Sequence, residues 1–293
     1  MTTISLNIPD GPVLIAGPTA SGKSALALRF AEEHGGQIIN ADAFQVYECW
    51  RVLTARPDDE DLSRAPHHLY GHVSYEADYS VGHWLREIKP LLESDFRPII
   101  VGGTGLYFTA LTEGLAEIPA IPEEVRKEAD EIRTSLGHQK FLTDLSKETL
   151  SRIDTQNPMR VQRAWEVWRS TGRQISVWQD ETPPALMPAE GANTFVLDAP
   201  KEWLNERISR RFNLMLEQGA LEEARRVLPK WNAKYQASKA IGAPELMSFL
   251  RGDLTLEAAA EKATVATRQY AKRQRTWFRA RMKSWKSVSA TQL

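Results

Sequence analysis

Residues 14–28, "LIAGPTASGKSALAL", decide the fold. The stretch matches the pattern G-x-x-x-x-G-K-[ST] between an apolar run and an Ala/Leu-rich run, which is the context that a phosphate-binding loop between a strand and a helix requires. The glycines allow close approach of the backbone to an anion, Lys23 adds a positive charge, and the Ser24 hydroxyl is a candidate ligand for Mg²⁺. We predict a phosphate site formed by Gly17, Pro18, Thr19, Ala20, Ser21, Gly22, Lys23 and Ser24. The loop alone leaves open whether its ligand is ATP, GTP or another diphosphate.

Four short apolar runs around this loop are typical of strands: "VLIAG" from Val13, "QIIN" from Gln37, "RPIIVGG" from Arg97 and "TFVLDA" from Thr194. Helical patterns lie between them, and this alternation predicts an α/β fold with a parallel sheet flanked by helices. Residues 116–193 are rich in charge, lack a strand-like run and are bounded by Pro-rich segments. We therefore expect a P-loop core at 1–115 and 194–293, with helices continuing through Lys286, and a helical insertion between them.

Composition limits the class of protein. The net charge of −1 gives no global attraction to nucleic acid, so any such site must be local. The single cysteine, Cys49, excludes an intrachain disulfide, and the first residues lack the charged and long apolar regions of a secretory signal. No run approaches the roughly 18 apolar residues of a membrane span. These features predict a soluble, cytoplasmic protein without a membrane partner.

Two strand ends carry opposite chemistry. Asp42 follows the second strand, where open α/β sheets bind ligands, and a carboxylate there can hold Mg²⁺ through water or act as a general base; the alternative is a capping residue. After the third strand, Gly102, Gly103 and Thr104 stand where an NTPase usually has an acidic residue, which disfavours an ATPase. The two glycines indicate close passage of substrate or backbone, or simply a tight turn.

Basic residues concentrate near the end of the chain, where no Asp or Glu follows Ala263. At helical spacing, five of these basic residues form one stripe. Because no acidic residue balances them, we interpret the stripe as a contact surface for RNA or DNA phosphates and not merely as solvated surface. Its members are Arg268, Lys272, Arg275, Arg279 and Lys283. Residues 157–174 add four arginines around Trp165 and Trp168, which we interpret as core residues.

Two further groups of residues are less decisive. Arg210 and Arg211 suit either a diphosphate clamp or surface ion pairs, and the sequence leaves the two equal. A metal site at His67, His68 and His72 is weakly supported, because no Cys or spaced partner accompanies them.

The motifs "GPTASGKS", "INADAFQVY", "VGGTGLY", "NPMRVQRAWEVWRSTGR", "RRFNLMLEQGALEEA" and "TRQYAKRQRTWFR" occur in the order that they have in the tRNA dimethylallyltransferases. The chain resembles this family over nearly its whole length. The resemblance implies a loop that holds the diphosphate of dimethylallyl diphosphate, with Mg²⁺. It also implies transfer of the prenyl group to N6 of adenosine 37, in the anticodon stem-loop of tRNAs reading codons that begin with U. We expect a monomer.

Matching motifs carry the family's roles onto this chain. Asp42 resembles the general base, Thr19 and Lys23 resemble diphosphate ligands, and Arg211 resembles a further cation on the diphosphate. The tRNA contacts implied by the resemblance, with three residues of the basic C-terminal segment, are Asp42, Ala43, Phe44, Gln45, Thr104, Arg126, Met159, Arg160, Val161, Gln162, Arg163, Lys239, Ala240, Ile241, Gly242, Ala243, Pro244, Lys272, Arg273 and Arg275.

The sequence departs from the family pattern at several of these positions. The family usually has Ser for Ala43, Met for Phe44, and "GYKE" where this chain has "GAPE". These changes remove a hydroxyl, an aromatic ring and a cation near the expected RNA contacts. Two other classes of function fit parts of the pattern: a P-loop kinase of a small molecule, and a nucleotide-gated RNA-binding protein.

Overall fold

The computed structural model describes residues 9–293, and in this range six strands form one parallel sheet. The strands are β1 (Val13–Ala16), β2 (Gln37–Asn40), β3 (His67–His68), β4 (Pro98–Gly102), β5 (Asn193–Asp198) and β6 (Lys286–Ser289). Their order is β3-β2-β4-β1-β5-β6, and each neighbouring pair is parallel. The predicted fold class, a parallel sheet flanked by helices, is confirmed.

The described chain contains twelve α-helices. They are α1 (Lys23–His34), α2 (Asp59–Arg64), α3 (Val81–Leu92), α4 (Gly105–Glu113), α5 (Glu123–Leu136), α6 (Lys147–Arg152), α7 (Pro158–Thr171), α8 (Ile175–Asp180), α9 (Lys201–Glu217), α10 (Ala220–Val227), α11 (Ala243–Leu250) and α12 (Leu256–Arg281).

The core explains why the central strands read as continuous apolar runs. All four residues of β1 are buried, because helices pack on both faces of a parallel sheet. Val13 and Ile15 join Phe30 on one face, and Leu14 joins Trp84 on the other. A third apolar cluster, centred on residues such as Trp50, Phe212 and Leu246, lies outside the sheet.

The expectation of helix through Lys286 is wrong. Helix α12 ends at Arg281, after which Met282 and Trp285 are buried and the chain enters β6, which pairs with β5. Lys283 therefore lies outside the predicted helical stripe. The sequence analysis did not predict β3 and β6. Strand β3 has only two residues, and Val288 is the one apolar residue of β6.

The chain divides into two compact units. One contains the sheet and comprises the described chain up to Thr112 together with Leu186–Leu293, and the other is the helical segment Glu113–Ala185. The sequence analysis set these limits at 116 and 193. The helical unit has its own core, in which the rings of Phe141 and Trp165 lie 5.1 Å apart between their centroids. In the described part of the chain, no helix is long and apolar enough to cross a membrane.

Candidate active site

The phosphate loop is a tight turn between β1 and α1. Ala20 and Gly22 have positive φ angles of 63° and 92°, which turn the backbone into the first residues of α1. Gly17 has no room for a side chain, since a Cβ there would lie 2.8 Å from Ser21 Oγ and 3.0 Å from Leu197 Cβ. Ser21 Oγ is buried and has no hydrogen-bond partner in the described chain. The loop thus combines a backbone turn at a helix N-terminus with a buried hydroxyl whose hydrogen bonds are unmade.

Asp42 is oriented by the end of β2. The amide N–H of Asp42 donates to Asn40 Oδ1 at 2.9 Å, and Asn40 Nδ2 donates to the carbonyls of Asp42 and Leu69, both at 3.0 Å. One carboxylate oxygen, Oδ1, accepts the N–H of Phe44 at 3.0 Å. A buried asparagine therefore fixes the backbone of Asp42, and the Phe44 amide fixes its carboxylate.

Glycines at the end of β4 bring Asp42 and the phosphate loop together. Strand β4 lies between β1 and β2 in the sheet, so the residues at the end of β4 lie between the ends of β1 and β2. A Cβ on Gly102 would lie 2.0 Å from the carbonyl oxygen of Ala41, and a Cβ on Gly103 would lie 3.3 Å from Asp42 Oδ2 and 3.5 Å from the carbonyl oxygen of Gly17. The glycines therefore serve close passage of backbone, which was one of the two explanations for them.

Asp42 lines one pocket together with Thr19 and Ala20 of the phosphate loop. Its polar side is formed by Thr19, Asp42, Thr54, Arg211, Thr267 and Tyr270. Its remaining wall is largely apolar and is formed by Ala20, Phe44, Leu53, Ile208, Phe212, Met215, Ala240 and Ile241. We call the part of this pocket around Asp42 and Arg211 the charged end, and the rest of the wall is largely apolar.

The charged end has an excess of cations. Burial lowers the pKa of Lys23 to about 8, with the charge of Asp42 opposing this shift and that of Arg211 adding to it. Burial also lowers the pKa of Arg211; the neighbouring charge of Arg207 adds to this shift and that of Asp42 opposes it. Two desolvated cations that face one carboxylate suit a ligand with several negative charges.

Helix α9 supplies these arginines. Arg211 lines the pocket and Arg210 points to solvent, so the predicted pair divides into one site residue and one surface residue. One turn earlier, Arg207 Nε donates to the carbonyl of Ala20 at 2.9 Å, and its guanidinium lies 4.5 Å from the ring centroid of Trp203. Arg207 thereby ties α9 to the phosphate loop.

Three polar residues of the site escaped the sequence analysis. Gln274 is buried and bonds the phosphate loop, and Tyr270 lines the pocket with a phenol whose pKa is raised by burial and by the charge of Asp42. The carboxylate of Glu223 accepts the amides of three consecutive residues, Arg51, Val52 and Leu53, at 2.8 to 3.0 Å. All three side chains act on partners far away in sequence, so no local pattern marks them.

The predicted RNA contacts near the pocket take different positions. Thr104 Oγ1 accepts the amide of Ala43 at 3.0 Å, and Gln45 Nε2 donates to the carbonyls of Thr54 and Ala55, both at 2.9 Å. These side chains therefore hold backbone. Phe44, Ala240 and Ile241 line the pocket, Gly242 and Ala243 are buried, and Lys239 and Pro244 are exposed.

The predicted contacts in the helical unit divide by burial. Val161 and Gln162 are buried in its interior, where Gln162 accepts from Arg133 and donates to Glu166. The exposed members are Arg126, Met159, Arg160 and Arg163. In helix α12 of the other unit, Lys272 and Arg273 are exposed and Arg275 is half-buried.

The three histidines point to separate partners. His67 Nδ1 lies 2.8 Å from the carbonyl oxygen of Ala65, His68 Nε2 lies 2.5 Å from Gln37 Oε1, and His72 Nε2 lies 2.8 Å from a carboxylate oxygen of Glu87. Between residues 9 and 293, no group of three or more His, Cys, Asp or Glu side chains is arranged to hold a metal ion.

Comparisons with known proteins show the family of the chain. A family model described as IPP transferase matches residues 45–281, and one described as isopentenyl transferase matches residues 12–70. A tRNA dimethylallyltransferase of Ruegeria sp. (strain TM1040) is 63% identical over 280 residues, which cover 96% of each chain. One of Dinoroseobacter shibae is 63% identical over 282 residues, which cover 95% of each chain.

Two solved structures have a similar fold. The tRNA isopentenylpyrophosphate transferase of Bacillus halodurans has a TM-score of 0.68 and 30% identity, covering 96% of this chain and 90% of that one. A eukaryotic dimethylallyltransferase acting on tRNA shares the fold, with a TM-score of 0.79 and 24% identity over 96% of this chain and 74% of that one. The matches to the family model and to these relatives cover nearly the full length of the chain, which therefore belongs to the tRNA dimethylallyltransferase family of enzymes.

Proposed function

We propose that the protein transfers the dimethylallyl group of dimethylallyl diphosphate to N6 of adenosine 37 in the anticodon stem-loop of tRNAs that read codons beginning with U. One observation carries the proposal: a single pocket is lined by Thr19 and Ala20 of the phosphate loop, the desolvated Arg211, the fixed carboxylate of Asp42 and an apolar wall. Lys23 of the same loop is also desolvated and interacts with the charges of Asp42 and Arg211. Each of these features corresponds to one part of the reaction.

The donor binds with its diphosphate at the charged end. The backbone amides of the loop, Thr19, Lys23 and Arg211 meet the phosphate oxygens, because cations and helix N-termini stabilise clustered negative charge. The five-carbon chain then lies against the apolar side chains of the pocket, among them Leu53 and Phe212. This orientation leaves the carbon that bears the diphosphate between the loop and Asp42.

The same cations favour departure of the diphosphate. As the allylic C–O bond breaks, the bonding electrons pass to the bridging oxygen, and the negative charge on the diphosphate grows. Lys23 and Arg211 stabilise this charge more strongly in the transition state than in bound donor, which is the condition for catalysis.

Mg²⁺ fits the donor set of the loop. A serine hydroxyl and phosphate oxygens are ligands that Mg²⁺ prefers, and Ser24 offers such a hydroxyl in the first turn of α1. The same loop contains the buried hydroxyl of Ser21, which has no hydrogen-bond partner in the described chain. Ser24 would hold the ion, which would neutralise charge on the leaving diphosphate.

Asp42 acts on the acceptor. The N6 amine of adenine is a weak nucleophile while it is conjugated with its ring, and its proton becomes acidic only as the N–C bond forms. An ionised carboxylate within hydrogen-bond reach can then accept that proton, so the products are N6-prenylated tRNA, diphosphate and protonated Asp42. The Phe44 amide keeps the carboxylate in place for this step.

The adenosine must leave the stacked loop to reach the pocket, as bases do in enzymes that modify them. Exposed cations can hold the RNA backbone meanwhile. Support comes from Lys272 and Arg273 in α12, and from Arg126, Arg160 and Arg163 in the helical unit, which are all exposed.

The test is mass spectrometry of nucleosides from a tRNA transcript incubated with the protein and isotope-labelled dimethylallyl diphosphate. We expect labelled N6-prenyl adenosine from a transcript with adenosine at position 37, and none from the matched transcript with guanosine there. Phosphate transfer from labelled ATP to a small molecule without RNA would instead support a P-loop kinase, and tRNA binding without any product would support an RNA-binding protein.

A further inference from the structure

A buried glutamine connects the phosphate loop to the loop after β4. Gln274, in α12, is 5% exposed. Its Oε1 accepts the amide N–H of Thr19 at 2.9 Å, and its Nε2 donates to the carbonyl of Gly103 at 2.8 Å. One side chain thus makes hydrogen bonds to two loops that are far apart in sequence.

The second of these loops is also attached to Asp42. The amide of Thr104 donates to the carbonyl of Ala41 at 3.3 Å, and Thr104 Oγ1 accepts the amide of Ala43 at 3.0 Å. Asp42 is therefore held between two residues that are bonded to the loop after β4. Through Gly103 and its neighbour Thr104, Gln274 links Thr19 to the backbone on both sides of Asp42.

Three residues of related shape do not meet the requirements of this position. Asparagine is one methylene shorter, methionine has the length but no hydrogen-bonding amide, and an ionised glutamate places an acceptor against the Gly103 carbonyl. A side chain at residue 103 would displace the glutamine amide, because a Cβ there would lie 2.3 Å from Gln274 Nε2. Tyr270, one turn earlier in α12, bonds both Gln274 and Thr104 and completes the network.

We propose that Gln274 is a positioning residue that fixes the separation of the donor loop and Asp42. It touches neither reactant's reacting atoms but holds Thr19 on the donor side and, through Thr104, Asp42 on the acceptor side. This inference rests on the proposed function. A misplacement of about 1 Å between reacting groups can cost roughly a hundredfold in rate, so the link acts on the chemical step and leaves the binding of either substrate nearly unchanged.

The test compares Gln274→Met with Gln269→Met, which changes an exposed glutamine of the same helix. In steady-state prenyl transfer, we expect kcat of Gln274→Met to fall about ten- to hundredfold, while KM for the donor and KM for tRNA stay within about threefold. Gln269→Met should match the wild type. An unchanged kcat, or a loss confined to either KM, would overturn the proposal.

A second measurement does not depend on turnover. Hydrogen exchange of the peptide that contains Thr19 should accelerate at least tenfold in Gln274→Met and stay at the wild-type rate in Gln269→Met. If Gln274→Met fails to fold, Gln274→Glu is measured in steady-state prenyl transfer; it keeps the acceptor for Thr19 but loses the donor to Gly103, and we again expect a loss of kcat. Equal exchange in the wild type and Gln274→Met, or an unchanged kcat in Gln274→Glu, would refute the link. Wild-type protein that makes no prenylated tRNA would refute only the proposed function, since the exchange result stands alone.

Discussion

Charged side chains have opposite surroundings in the pocket of the sheet unit and on the surface of the helical unit. In the sheet unit, Arg211 of the pocket and Lys23 of the phosphate loop are desolvated, and the Asp42 carboxylate accepts a backbone amide. In the helical unit, charged side chains pair at the surface, as in the contacts of Arg152 with Asp180 at 2.6 Å and of Arg169 with Glu128 at 3.3 Å.

This difference teaches what to expect of single substitutions. Charges in a desolvated, fixed setting interact strongly, so the loss of one removes a large share of the effect. Exposed cations are screened by salt and contribute to phosphate binding in small, nearly additive amounts. The pocket should therefore depend on individual residues, whereas RNA binding by the helical unit should depend on their number.

The largest effect is expected at Asp42. Asp42→Asn keeps an oxygen that can accept the amide of Phe44 but removes the base, so kcat should fall at least about a hundredfold while tRNA binding remains. Single-turnover prenyl transfer and filter binding of tRNA measure the two quantities. The contrast between the units would be broken by a variant that turns over at the wild-type rate.

A large effect on donor binding is expected at Lys23. Lys23→Met removes a charge-assisted contact to the diphosphate, and the Kd of dimethylallyl diphosphate should rise by roughly ten- to hundredfold. Without ligand, the variant should also melt at a higher temperature than the wild type at pH 7, because the wild type buries the Lys23 ammonium at a cost in stability. Calorimetric titration and thermal melting test both statements; Lys262→Met, at an exposed position of α12, is the control.

The sequence predicts the parts of this architecture that are written in short local patterns. The phosphate loop, the four predicted strands and the position of Asp42 after β2 each depend on a few adjacent residues, since a glycine pattern and apolar runs specify them locally. Gly102 and Gly103 at the end of β4 also indicated a close approach, although the sequence did not identify the neighbour of Gly102 as the backbone of Ala41.

The rest depends on contacts between distant segments. Gln274 meets Thr19 across 255 positions of sequence, and Glu223 binds amides about 170 positions away. Neither side chain stands in a pattern that distinguishes it from an ordinary polar residue of a helix. The sequence also does not show which residues of α7 are buried. Val161 and Gln162 belong to a predicted RNA-binding segment but face the interior of the helical unit.

The pH dependence of donor binding sharpens the contrast further. The pKa of Lys23 is about 8 in the ligand-free protein, so its ammonium is present below that pH and is lost above it. We expect the Kd of the donor to rise by up to tenfold per pH unit above about 8, and the rise to be absent in Lys23→Met. A pH-independent Kd in the wild type would contradict this.

The same shift predicts how stability depends on pH. The folded-state pKa of Lys23 is lowered from 10.5 to about 8, so the unfolded chain binds more protons between these values. The contribution of this residue to the free energy of unfolding should therefore rise with pH across that window. Thermal melting of the wild type against Lys23→Met from pH 8 to 10 measures this contribution: the stability advantage of the variant should shrink as the pH rises.

The smallest effect is expected in the helical unit. Changing both Arg126 and Arg160 to Gln removes two exposed cations, so KM for tRNA should rise several-fold with kcat unchanged, and the slope of log binding constant against log salt should flatten by about one to two. Arg169→Gln is the matched control, because this arginine is paired with Glu128. A hundredfold loss of kcat in the double variant would show that the helical unit, like the pocket, depends on individual charges, and the contrast drawn between them would fail.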